Sequence, residues 1–182
     1  MAIADHGHVL LITGEAGVGK TFLVEQFIGL AEDRYPDIQV ARGQCSERFG
    51  RGEGYLPFIE ALGALLSGRK DASARQKILE IALDTAPSWL EAIPAVGQAL
   101  RASYETAQAA RERFGGHAKQ LSAPDREHVL QEYAGVLTRL SEDRPILLFL
   151  DDLQWSDGAS VDLLVHLSRR IGGNAILIAG TY

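Results

Sequence analysis

The chain has 182 residues, a net charge of −6, and 46% hydrophobic against 23% charged residues. This composition suits one globular domain with a sizeable core and excludes wholesale disorder; the acidic balance argues against a whole-chain nucleic-acid platform. A single cysteine, Cys45, excludes an internal disulfide framework and a multi-cysteine metal site, and suits a reducing compartment.

No basic-then-apolar leader opens the chain, and no apolar run approaches the ~20 residues needed to cross a bilayer. A cytoplasmic location is therefore expected. The run His8-Val9-Leu10-Leu11-Ile12-Thr13 is short, apolar and ends at a glycine, which predicts a buried strand. From Thr21 the period changes: Leu23, Val24, Phe27, Ile28 and Ala31 fall at helical spacing, and the helix should end near Tyr35-Pro36. Residues 38–42 predict a second strand and 43–54 a glycine-rich loop. Three helical stripes follow: Phe58, Ile59, Leu62, Leu65 and Leu66; then Ile78, Leu79, Ala82 and Leu83; then Trp89, Ile93, Val96 and Leu100, weakened by Pro94. Residues 101–122 are polar and read as a connector.

Ser122-Ala123-Pro124-Asp125 is a helix-start signal, and Val129, Leu130, Tyr133, Val136, Leu137 and Leu140 make the face that follows. Pro145-Ile146-Leu147-Leu148-Phe149-Leu150 is a continuous apolar run, as in parallel strands covered on both faces. Residues 151–158 predict a loop, 159–171 a helix with Leu163, Leu164, Leu167 and Ile171 inward, and 175–179 a last strand. The alternation implies parallel crossover units: an α/β fold, a three-layer αβα sandwich, one domain over 1–182 with a helical insertion at about 55–122.

Two motifs carry chemistry. Gly14-Glu15-Ala16-Gly17-Val18-Gly19-Lys20-Thr21 fits G-x-x-x-x-G-K-[ST] at every fixed position, between a predicted strand and a predicted helix. Glycines let the backbone curl so that amides point at phosphate oxygens, and the helix start aims its positive end at them. Lys20 would charge-pair the β- and γ-phosphates, and Thr21 would ligate Mg²⁺. The bland alternative, a glycine-rich turn with an incidental lysine, needs a chance match in a chain with only four lysines.

Downstream, Leu147-Leu148-Phe149-Leu150-Asp151-Asp152 is an apolar strand ending in two acids. Asp151 at the strand tip would hold Mg²⁺, and Asp152 would polarise an attacking water. Taken alone, the pair reads equally as loop acids after a strand. Asp157, just before Gly158, reads as a helix N-cap. The five histidines show no metal-ligand spacing, and Arg101, Arg111, Arg113, Lys119 and Arg126 read as a solvated basic stretch.

Together with Leu150-Asp151-Asp152-Leu153-Gln154-Trp155-Ser156-Asp157, the phosphate-loop string resembles the AAA-like ATPase module of the STAND class, an ASCE-type P-loop NTPase. Relatives of that class occur in bacterial LuxR-type transcription regulators and multidomain adenylate or guanylate cyclases. Gly43-Gln44-Cys45 and Tyr55-Leu56-Pro57-Phe58 look like family features too. Ile176-Leu177-Ile178-Ala179-Gly180-Thr181-Tyr182 looks like the sensor-1 strand, making Thr181 a candidate γ-phosphate sensor. The resemblance implies ATP and Mg²⁺ as ligands and hydrolysis as a timer for a conformational switch.

It also implies a sheet order of 5-1-4-3-2. Here that becomes 1-4-3-2, because the fifth strand, the helical lid and the family's upstream Gly-Arg-Glu element do not fall within the chain. The expectation is a fragment of a longer protein whose open strand edge favours self-association or marginal stability. Implied partners are ATP or ADP, the other domains of the full protein and a second copy, with neither membrane nor direct nucleic-acid contact. Two alternatives stay open: a nucleotide-binding switch with negligible turnover, and a small-molecule phosphotransferase on the same loop.

Overall fold

Strand and helix alternate along the chain because the period of its apolar residues does. A computed structural model describes residues 6–46, 54–67, 72–92 and 126–182. The strands are β1 (His8–Ile12), β2 (Gln39–Gln44), β3 (Ile146–Asp151) and β4 (Ile176–Thr181). The helices are α1 (Lys20–Arg34), α2 (Leu56–Ser67), α3 (Ala72–Thr85), α4 (Pro87–Ala92), α5 (Arg126–Ser141) and α6 (Gly158–Arg170). All strand pairs are parallel and the order is β1-β4-β3-β2, the predicted one.

β3 explains the layering. Its alternate residues Ile146, Leu148 and Leu150 join the core formed with α2, α3, α5 and α6. Leu147 and Phe149 point the other way, onto Val24, Ile28 and Ala31 of α1. A strand covered on both faces needs an unbroken apolar run, and each such side chain contributes about 1.5–3 kcal/mol on burial. The α2 and α5 stripes bury as their spacing predicts, with Ile59 and Val129 partly buried at the margins. Tyr133 of α5 is fully buried, edge-on to Phe58 and Trp89, and its hydroxyl donates to the Phe58 carbonyl at 3.0 Å.

Several expectations are corrected. β1 is not a buried strand: its only neighbour among the described strands is β4, and Leu10 and Leu11 are half-exposed. Leu23 and Phe27 are exposed, because α1 meets the sheet only through the narrower stripe of Val24, Ile28 and Ala31. Leu83 is likewise exposed. β2 runs two residues further than predicted, because parallel pairing carries it on until Gln44 lies opposite Asp151. The stripe residues Ile93, Val96 and Leu100, the connector and the Ser122–Asp125 start signal lie outside the described residues. Among the described residues, no helix is long and apolar enough to cross a membrane.

Candidate nucleotide-binding site

The site lies at the carboxyl ends of the strands. Pairing sets Ile12 beside Thr181 and Leu150 beside Gly180, so the exits of β1, β4 and β3 are level. After Ile12 the chain turns through the glycine-rich segment. Gly17 (φ +80°) and Gly19 (φ +96°) take left-handed conformations that side chains rarely adopt. α1 then begins at Lys20, with no side-chain cap and no acidic residue in its first turn. Its leading amides and positive dipole end therefore keep their capacity for an anion. The Lys20 ammonium folds back over the loop and donates to the carbonyls of Gly14 at 2.8 Å and Glu15 at 3.0 Å. Glu15, Ala16, Gly17 and Val18 are exposed around it.

Thr21 joins this loop to the second motif. Its hydroxyl donates to Asp151 Oδ1 at 3.0 Å, across 130 residues of sequence. The same oxygen accepts the Thr181 hydroxyl and, at 3.2 Å, the backbone N–H of Asp152. Thr181 is fully buried, and its Oγ1 in turn accepts the Asp152 N–H at 2.9 Å. Lys20, Thr21, Asp151, Asp152 and Thr181 are thus gathered at one end of the sheet.

A chain with this phosphate loop and acidic strand tip on a 1-4-3-2 parallel sheet has a match among known families. The family model described as AAA ATPase domain covers residues 2–178. The chain belongs to this AAA ATPase domain family. No curated protein matches it.

Within this AAA ATPase domain the turn after β3 is tightly specified. Asp152 takes φ 59° and ψ 44°, a left-handed conformation unusual for a residue with a side chain. Such strain, of order 1–3 kcal/mol, persists where surroundings enforce it, here the bond from its N–H to Thr181. A single 3-10 turn, Leu153–Trp155, follows. The Gln154 amide donates to Asp152 Oδ1 at 2.9 Å.

Asp157 caps α6 as its position predicts, accepting Ser160 N–H at 2.9 Å and the Ser160 hydroxyl at 2.5 Å. It also accepts the Tyr55 N–H at 3.3 Å, which holds the start of α2. Burial pushes the Asp157 carboxyl up, but its bonds from Ser160, Tyr55 and Ala159 outweigh this and hold it below the ordinary carboxylate range. Burial pushes the Cys45 thiol up. Glu25 of α1 forms a two-point pair with Arg42 of β2, both contacts 3.0 Å. Hydrogen bonding to Arg42 is the main cause that lowers Glu25.

Three features escaped the sequence reading: the Gln154 amide, the Tyr55 N–H, and Gly43. A Cβ at Gly43 would lie 1.9 Å from the Pro57 carbonyl oxygen, so glycine alone admits the start of α2 against β2. The one hint in the sequence is that Gly43, Tyr55 and Gln154 stand in the strings that carry the family resemblance. Arg101, Arg111, Arg113 and Lys119 lie outside the described residues, while Arg126 pairs with Asp162 of α6.

Proposed function

We propose that this AAA ATPase domain binds ATP with Mg²⁺ and hydrolyses it as a regulatory switch in a multidomain signalling or transcription regulator. The contact between Thr21 and Asp151 carries the reading, because it unites the phosphate-loop helix with the acidic strand tip. The donor set fits the metal: a carboxylate and a hydroxyl, both oxygen, as Mg²⁺ prefers beside substrate phosphates. Thr21 and Asp151 would hold the ion. When bound, it neutralises charge on the β- and γ-phosphate oxygens.

The chain's own groups do the rest. The amides of residues 14–19 and the start of α1 cradle the phosphates. Lys20 exchanges its two loop carbonyls for phosphate oxygens, and its charge grows in effect as the γ-phosphoryl group departs. Asp152 accepts the proton of the attacking water while the water oxygen bonds to the γ-phosphorus. The bond to the bridging oxygen breaks, and ADP leaves with its electron pair. Thr181 senses the γ-phosphate through the Asp151 carboxylate on which its hydroxyl rests. The regulatory part of the reading rests on the STAND-class resemblance and on Asp157, which links the loop behind Asp152 to α2. Residues 1–182 are read as one domain in which α2–α4 form an insertion. Cytoplasmic placement is supported by the single cysteine, Cys45, which suits a reducing compartment.

Titrating ATP and GTP, with and without Mg²⁺, tests this reading. Trp155, two residues past Asp152's neighbour Leu153, is half-exposed and serves as an intrinsic fluorophore. Expected are tighter binding of ATP with Mg²⁺, a loss of at least about a hundredfold in affinity in Lys20→Ala, and phosphate release above that variant. Binding without release would favour the switch of negligible turnover. No binding of either nucleotide would overturn the proposal.

A further inference from the structure

Gln154 follows the acidic strand tip and has no role assigned so far, yet its side-chain amide is directed at the one carboxylate assigned to water. The bond from Gln154 Nε2 to Asp152 Oδ1 measures 2.9 Å. Two constraints fix the turn that carries it. Trp155 N–H donates to the Asp152 carbonyl at 2.9 Å, and Ser156 N–H to the Leu153 carbonyl at 3.0 Å. Leu153 also seats on Gly180 of β4: a Cβ there would meet its Cδ1 at 2.5 Å.

The Gln154 amide is therefore presented from a short, anchored turn, which limits the backbone freedom lost in forming the bond. The Asp152 backbone is held from the other side by Thr181. One carboxylate oxygen is thus tied, and Oδ2 is left to engage a water. A carboxylate free to rotate presents a reactive oxygen in one geometry only part of the time.

We propose that Gln154 is a positioning residue for hydrolysis, orienting Asp152 by donating to Oδ1; this rests on the ATPase reading above. The chemistry asks for a neutral donor. A glutamate of the same shape at 154 has no N–H to give and sets a second negative charge against Asp152. A histidine places a ring N–H in the same direction. Because Gln154 acts through Asp152, its effect disappears once Asp152 has lost its function.

The experiment is steady-state and single-turnover ATP hydrolysis by the full chain, with melting temperature and nucleotide affinity measured in parallel. Gln154→Glu is expected to lower kcat about tenfold, with KM, ATP affinity and melting temperature unchanged. Gln154→His is expected to keep kcat within about threefold of wild type. In an Asp152→Asn background, Gln154→Glu is expected to change the rate by less than about twofold. An unchanged kcat in Gln154→Glu overturns the inference while leaving the ATPase reading intact. So does an equal loss in the Asp152→Asn background, an equal loss in Gln154→His, or a fall in melting temperature that accounts for the loss. Wild-type turnover no higher than Lys20→Ala overturns both.

Discussion

One oxygen of Asp151 gathers hydroxyls from Thr21 and Thr181 and the backbone N–H that follows it. A carboxylate so surrounded is oriented before any ligand arrives, and such preorganisation is the source of most electrostatic catalysis. Thr181→Val removes one donor and takes from the Asp152 N–H the nearer of its two acceptors, leaving Asp151 Oδ1 at 3.2 Å. It is expected to destabilise by about 1–3 kcal/mol and to cut kcat at least about tenfold, read by urea unfolding and phosphate release. Asp157 makes a pH prediction of defined sign. Its folded carboxyl titrates below its unfolded value, so its contribution is fully present above about pH 4 and is lost as pH falls through the lowered folded value. Asp157→Ala is therefore expected to lose about 1–2 kcal/mol at pH 7, and the gap to wild type should narrow below about pH 4. A gap constant from pH 7 to pH 3 would contradict this.

At the scale of elements, two packing devices hold α2 and α4 in place. Gly43 lets the first turn of α2 rest on β2. Gly43→Ala must push that helix away, and a loss of roughly 3 kcal/mol or more is expected in urea unfolding. Tyr133 welds α5 to α2 and α4 through Phe58 and Trp89. Its burial keeps the hydroxyl neutral far above the usual tyrosine range. Tyr133→Phe keeps the ring and removes only the bond to the Phe58 carbonyl. About 1 kcal/mol is expected for that change, against roughly 3–5 kcal/mol for Tyr133→Ala. Among the described residues element identity was legible, because apolar residues recur at helical spacing in the helices and run without a break in β3. Strand ends were not, since β2 and β4 stop where their neighbours stop, and no local signal marks that point.

At the scale of the whole molecule, β1 and β2 form the two edges of the sheet among the described strands, and β1 is the more exposed of them. β1 shows half-exposed Leu10 and Leu11, and Phe22 and Leu30 of α1 are each 69% exposed. An unpaired strand edge with apolar side chains is a template for association. Sedimentation should show concentration-dependent self-association, weakened by Leu10→Lys. A single monomeric species at all concentrations would contradict this. Nucleotide adds a second whole-molecule effect. ATP with Mg²⁺ at a hundredfold over its wild-type Kd should stabilise the fold by about 2.7 kcal/mol in wild type and by no more than about 0.4 kcal/mol in Lys20→Ala, read as a shift in melting temperature.

The amino-acid sequence determined the elements and the phosphate loop, because each is written in contiguous residues of a characteristic type and spacing; the acidic strand tip, ambiguous by itself, took its meaning from the loop upstream. Strand order was readable only through resemblance, and the sheet realises it. The tertiary structure alone decided which residues meet across long stretches of chain: Thr21 with Asp151, Thr181 with the Asp152 N–H, Asp157 with Tyr55, Gly43 with Pro57. It also decided which apolar faces of β1 and α1 stay in solvent. Local periodicity says that a side is apolar, whereas only the position of a strand or helix in the assembled layers says whether anything covers it.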